Sequence, residues 1–93
     1  MLTASDLKLG GLYKAMLRLI VSREKTRRPW ADSVSLSCIN AGVVFVVMEI
    51  HDTVECSGRW TRCVGADGSG GWLVSFDKDL DISGYVQEVT SQP

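Results

Sequence analysis

The chain has 93 residues, 45% hydrophobic and 23% charged, with ten Lys or Arg against eleven Asp or Glu, a net charge of −1. That composition fits one compact core and excludes an unstructured chain. No apolar run approaches the roughly 20 residues needed to span a bilayer, and Met1-Leu2-Thr3-Ala4-Ser5-Asp6 lacks the basic-then-apolar order of a secretory signal.

The expectation is a single mainly-β domain over residues 1–93 in the cytoplasm. Three cysteines, Cys38, Cys56 and Cys63, leave at least one without an intrachain disulfide partner, unlike the even frameworks of small secreted domains. Charge is lopsided. Residues 1–30 hold seven basic side chains against Asp6 and Glu24, a balance of +5, and residues 31–93 hold three against nine acids, a balance of −6. Such asymmetry either steers a partner or is neutralised within the fold.

Residues 9–22 read two ways. Leu9, Leu12, Tyr13, Met16, Leu17 and Ile20 have helical spacing, but Gly10-Gly11 opposes a helix at about 1 kcal/mol per glycine. With period two, Ala15, Leu17, Leu19 and Val21 share a strand face, the preferred reading. Residues 22–33 are polar, basic and contain Pro29, and are read as a long loop. Ser33-Val34-Ser35-Leu36-Ser37-Cys38 alternates as a half-buried strand, Asn40-Ala41-Gly42 supplies a turn, and Val43–Ile50 is β-branched and nearly all apolar. The two segments are expected to form a hairpin, the second strand buried on both faces, so Val46→Asp should unfold the domain.

Arg59-Trp60-Thr61-Arg62-Cys63-Val64 reads as a strand, Gly65–Gly71 as a glycine-rich turn, and Trp72–Phe76 as a strand with Trp72, Val74 and Phe76 on one face. Asp77–Asp81 suggests a short helical turn, Gly84–Val89 a closing strand, and residues 90–93 a tail. Strands so closely spaced indicate a small barrel or sandwich.

The order of these signals resembles the Src-homology-three-like small barrels of the bacterial and phage type. Leu7-Lys8-Leu9-Gly10-Gly11-Leu12-Tyr13 matches their opening strand, residues 22–33 their long variable loop, and Asn40–Val47 a strand entered through glycine. Trp60–Val64 matches their Trp-initiated strand, and Asp67-Gly68 with Gly71-Trp72-Leu73 their turn into Gly-Trp. The resemblance implies a five- to six-stranded barrel, with an N-terminal helix in place of the first strand as the alternative. Members that bind proline-rich peptides carry Pro and Tyr after the fourth strand and an acidic loop. Here Ser75-Phe76-Asp77-Lys78-Asp79 has neither residue and the loop is basic, which argues against that ligand class.

No catalytic pattern emerges. His51, Cys56 and Cys63 are spaced five and seven apart with no Cys-x-x-Cys knuckle, so the thiols are expected as packing groups rather than zinc ligands, and no metal or cofactor is expected. His51 is read as a strand-end residue rather than a catalytic base. Asp77, Asp79 and Asp81 lack calcium-loop spacing and read as a solvated face. Gly65–Gly71 lacks the Gly-Lys-Ser/Thr of a phosphate loop.

What stands out is a basic loop and a surplus of rings. Arg23, Lys25, Arg27 and Arg28 precede Trp30, and Trp60 is flanked by arginine. Trp and Arg dominate protein-interface hot spots. Arg23, Lys25, Arg27, Arg28, Trp30 and Trp60 are therefore the expected contact residues of a non-enzymatic module that binds a protein partner, with Trp30 and Trp60 as exposed anchors. The same residues suit nucleic acid, since cations meet phosphates and indoles stack on bases. In size and style the chain also resembles small phage proteins that block a host enzyme or defence complex, anti-CRISPR proteins among them.

Overall fold

The computed structural model describes residues 1–23, 36–52 and 57–89. These form one 3₁₀ turn, Ala4–Asp6, and seven strands: β1 Leu12–Ala15, β2 Leu19–Ser22, β3 Leu36–Ile39, β4 Val44–Asp52, β5 Arg59–Gly65, β6 Gly70–Ser75 and β7 Val86–Glu88. All belong to one curled antiparallel sheet in the order β3-β2-β6-β5-β4-β1-β7. The chain is thus mainly β, with seven described strands where five or six were expected. Lys25, Arg27, Arg28, Trp30, Cys56 and residues 90–93 lie outside the described residues.

The helical alternative for the first third is overturned. Of its six spaced residues only Tyr13 is buried; Leu9, Leu12, Met16, Leu17 and Ile20 are exposed. Period two wins because the glycine pair is used by the neighbouring strand. The Gly10 amide donates to the Val47 carbonyl (2.8 Å), and Val47 donates back to Gly11 (3.1 Å), with Gly10 at φ 76°. Tyr13 and Ala15 in β1, and Leu19 and Val21 in β2, then point inward. Leu17 lies between the strands and does not join that face. Ser22 is the last residue of β2 rather than the first of a loop.

The expected hairpin between the segments around Cys38 and Val43 does not form. β3 pairs with β2, from Leu19↔Ile39 to Ser22↔Leu36, and β4 pairs with β1 and β5. The Asn40–Val43 turn is captured by the end of β1 instead: Gly42 donates to the Ala15 carbonyl (2.7 Å), and Ala15 donates to Val43 (3.0 Å). Gly42, at φ 89°, supplies the left-handed geometry that turns the chain away from β3.

Inward-facing residues make one core of Leu7, Tyr13, Ala15, Leu19, Val21, Ile39, Phe45, Val47, Cys63 and Val86. β4 is fully buried on one face only, at Phe45 and Val47, while Val44 and Val46 are half-buried on the outer face. Between Val47↔Cys63 and Glu49↔Arg62, β4 advances two residues for one on β5. Met48 is therefore a bulge, and beyond it Ile50 faces the core while Glu49 and His51 face outward. Arg59 ties the N-terminus down. It donates through Nε to Asp52 (2.7 Å) and through Nη1 to the carbonyls of Ala4 and Ser5 (both 3.3 Å).

Residues 77–81 form the short turn expected there, closed by Leu80 N–H on the Asp77 carbonyl (3.2 Å). Phe76 lies past the end of β6 and is 63% exposed, so it does not share a strand face with Trp72 and Val74.

Candidate functional site

Alternation along β5 sends Thr61 and Cys63 inward and Trp60, Arg62 and Val64 to the outer face. Arg62 stands opposite both Glu49 on β4 and Trp72 on β6, and Trp72 stands opposite Ser22 at the end of β2. Arg23 follows directly. Arg23, Arg62, Val64, Gly70, Gly71 and Trp72 thereby line an open cleft of about 270 Å³ beside the Gly65–Gly70 turn. Gly71 admits no side chain, since a Cβ there would lie 2.6 Å from the Ser22 carbonyl oxygen and against core Val21.

Two rings and one carboxylate hold the cleft in place. Trp60 packs edge-on against Trp72, centroids 6.4 Å apart at 80°, and the His51 ring lies 5.6 Å from Trp72. Glu49 accepts from Arg62 Nη1 (2.9 Å) and from His51 Nε2 (3.1 Å). Those bonds, the histidine's first, hold the Glu49 carboxyl below its ordinary range. Arg23 has no ion-pair partner among the described residues. The lining thus contains two guanidiniums and no carboxylate. The nearby Asp67 is occupied by Ser69, whose hydroxyl and amide both donate to it and lower its pKa.

Of the residues expected from sequence, Arg23 reaches this cleft. Lys25, Arg27, Arg28 and Trp30 lie outside the described residues. Trp60 is a correction: it is 6% exposed and is no open anchor. Its polar neighbours Arg59 and Thr61 point to the other face, so they carry no information about its own exposure. It acts as the buttress behind Trp72. Arg62 and Trp72 were missed, although the period-two pattern of Trp60-Thr61-Arg62-Cys63-Val64 already put Arg62 on the ring-bearing face.

The other chemistry-bearing groups are engaged in structure. Cys63 is buried, and burial pushes its thiol up to about 12; it donates to the Thr61 carbonyl (3.6 Å). Among the described residues no three of His, Cys, Asp and Glu gather where they could hold a metal ion. Asp77 and Asp81 accept the amides of Asp79 (3.0 Å) and Ser83 (2.9 Å). A second hollow of about 450 Å³ between Met1, Leu2, Met16 and β7 gathers no complementary polar groups beyond Ser83, Gln87 and Glu88. No described helix is long and apolar enough to cross a membrane. No protein-family model, curated protein or solved structure matches the chain.

Proposed function

We propose that this chain is a non-enzymatic protein-interaction module, a small barrel of Src-homology-three-like type, whose contact surface is the outer face of the sheet around Arg23, Arg62 and Trp72. One observation carries the reading: a cleft lined by two arginines and a tryptophan opens onto a sheet face on which Leu12, Ile20, Met48 and Val64 are exposed. Exposed apolar side chains beside Arg and Trp have the composition of an interface core with its anchors. The basic balance of residues 1–30 reaches the cleft through Arg23, so charge asymmetry and surface chemistry coincide.

A protein partner is favoured over nucleic acid by the charge count. A duplex presents one negative charge per roughly 1.7 Å, which calls for a long run of cations. The cleft offers two, on a chain of net charge −1.

The test is capture from a cell extract by immobilised wild-type chain and by the Arg23→Glu/Arg62→Glu variant, with bound proteins quantified by mass spectrometry. A defined set of proteins should be retained by the wild type and depleted roughly tenfold on the variant, since like-charge juxtaposition at an interface suppresses binding. Equal retention by both would remove this face from the site. Oligonucleotide binding with a steep salt dependence would replace a protein partner by nucleic acid.

A further inference from the structure

Resting on that reading, we infer that the cleft recognises a carboxylate side chain in an extended acidic and apolar peptide segment of the partner. The argument begins with what the cleft already holds. Arg62 engages one carboxylate, that of Glu49, across the sheet surface. Arg23, which lines the same cleft, has no such counterpart among the described residues. Arg23 is exposed and lines the cleft with Trp72, so an arriving anion can reach its guanidinium and accept a charge-assisted hydrogen bond from it. The planar fork of arginine matches the two oxygens of a carboxylate.

The shape specifies the rest of the segment. Gly70 and Gly71 line the cleft without side chains, and the places their Cβ atoms would take are filled by the chain's own Cys63 and Ser22 carbonyls, so this wall is backbone of neighbouring strands. From the cleft, Val64 continues across the outer face to Val46 and Leu12, which are register partners on β5, β4 and β1. This is a strip of apolar side chains perpendicular to the strands. A peptide that places an acid against Arg23 and Trp72 therefore has an apolar surface beside it for its neighbouring side chains. A uniformly charged strand would set its next charges on Val64, Val46 and Leu12 and lose hydration without compensation. The strip thus selects acid beside apolar, rather than a run of phosphates.

The experiment uses three labelled probes with the full chain in fluorescence anisotropy: a short amidated peptide of alternating Glu and Leu, its Gln-for-Glu counterpart, and an oligothymidylate of similar length. The Glu peptide should saturate the protein, the Gln peptide should bind roughly tenfold or more weakly, and Arg23→Gln should remove the difference between them. Arg23 is exposed, so this variant keeps the fold, and Trp72→Phe serves as an independent second variant that should weaken both peptides. Equal binding of the two peptides, or no binding of either, overturns the carboxylate assignment. If partner capture still depends on Arg23 and Arg62 in that case, the interaction module stands and only its ligand chemistry falls. Preferential binding of the oligothymidylate overturns both.

Discussion

Adjacent valines on β4 provide a sharp test of the sheet register. Val47 is 1% exposed and faces Cys63 across β5, whereas Val46 lies on the outer face opposite Val64 and Leu12. An Asp at position 47 must be kept neutral or hold an unpaired buried charge. Keeping it protonated at pH 7, from an ordinary pKa of about 3.9, costs roughly 4 kcal/mol at about 1.4 kcal/mol for each unit. Losing the buried valine adds about 1.5 kcal/mol or more. The sum, roughly 5–6 kcal/mol, matches the lower end of the stability expected for a domain of this length, roughly 5–14 kcal/mol. An Asp at position 46 keeps its hydration and forfeits only partial apolar contact and strand preference, about 1–2 kcal/mol. Urea denaturation followed by tryptophan fluorescence reads both. Val47→Asp should be unfolded or nearly so without denaturant, and Val46→Asp should unfold cooperatively at a lowered midpoint. Equal damage from the two substitutions, or a robust Val47→Asp protein, would refute the assigned register.

Thr61 is fully buried and its Oγ1 meets no hydrogen-bond partner among the described residues, so Thr61→Val should raise stability by about 1 kcal/mol in the same urea assay. Cys63 should resist iodoacetamide in the native protein near pH 8, because burial holds its thiol at about 12, and should alkylate only on unfolding; peptide mapping by mass spectrometry follows this. Hydrogen bonding from Arg59, and from the Thr3 amide and hydroxyl, lowers the folded pKa values of Asp52 and Asp6 respectively. A lowered folded pKa contributes stability above the unfolded value and loses it as pH falls through the folded one. The urea midpoint should therefore drop below about pH 4, and Arg59→Ala should flatten the Asp52 part of that drop.

The strands themselves were legible wherever period two was strict or β-branched residues were dense. The strands expected at Val43–Ile50 and Arg59–Val64 correspond to β4 Val44–Asp52 and β5 Arg59–Gly65, and the turn expected over Gly65–Gly71 narrows to Ala66–Ser69, since Gly65 ends β5 and Gly70 and Gly71 begin β6. Pairing was less legible because it is decided by contacts distant in sequence. Nothing local in Asn40-Ala41-Gly42 shows that Ala15 captures this turn and sends β4 to β1 rather than back along β3. The one-residue bulge at Met48 is equally silent, yet it reverses which side chains of β4 face outward and so brings Glu49 and His51 to the site. At the cleft, Arg23 was legible from charge alone. Trp60 did not take its expected role as an exposed anchor because exposure on a strand depends on what packs over each ring, not on the polarity of the adjacent residues.

The central claim, that the Arg23–Arg62–Trp72 face is the contact surface, is tested most directly by nuclear magnetic resonance. The ¹⁵N-labelled chain is titrated with the captured partner while backbone amides and tryptophan indoles are followed. Perturbation should concentrate at Arg23, Arg62, Val64, Gly71 and the Trp72 indole and continue through Val46 to Leu12. Perturbation confined to Met1, Met16, Gln87 and Glu88, with the cleft unchanged, would contradict the account.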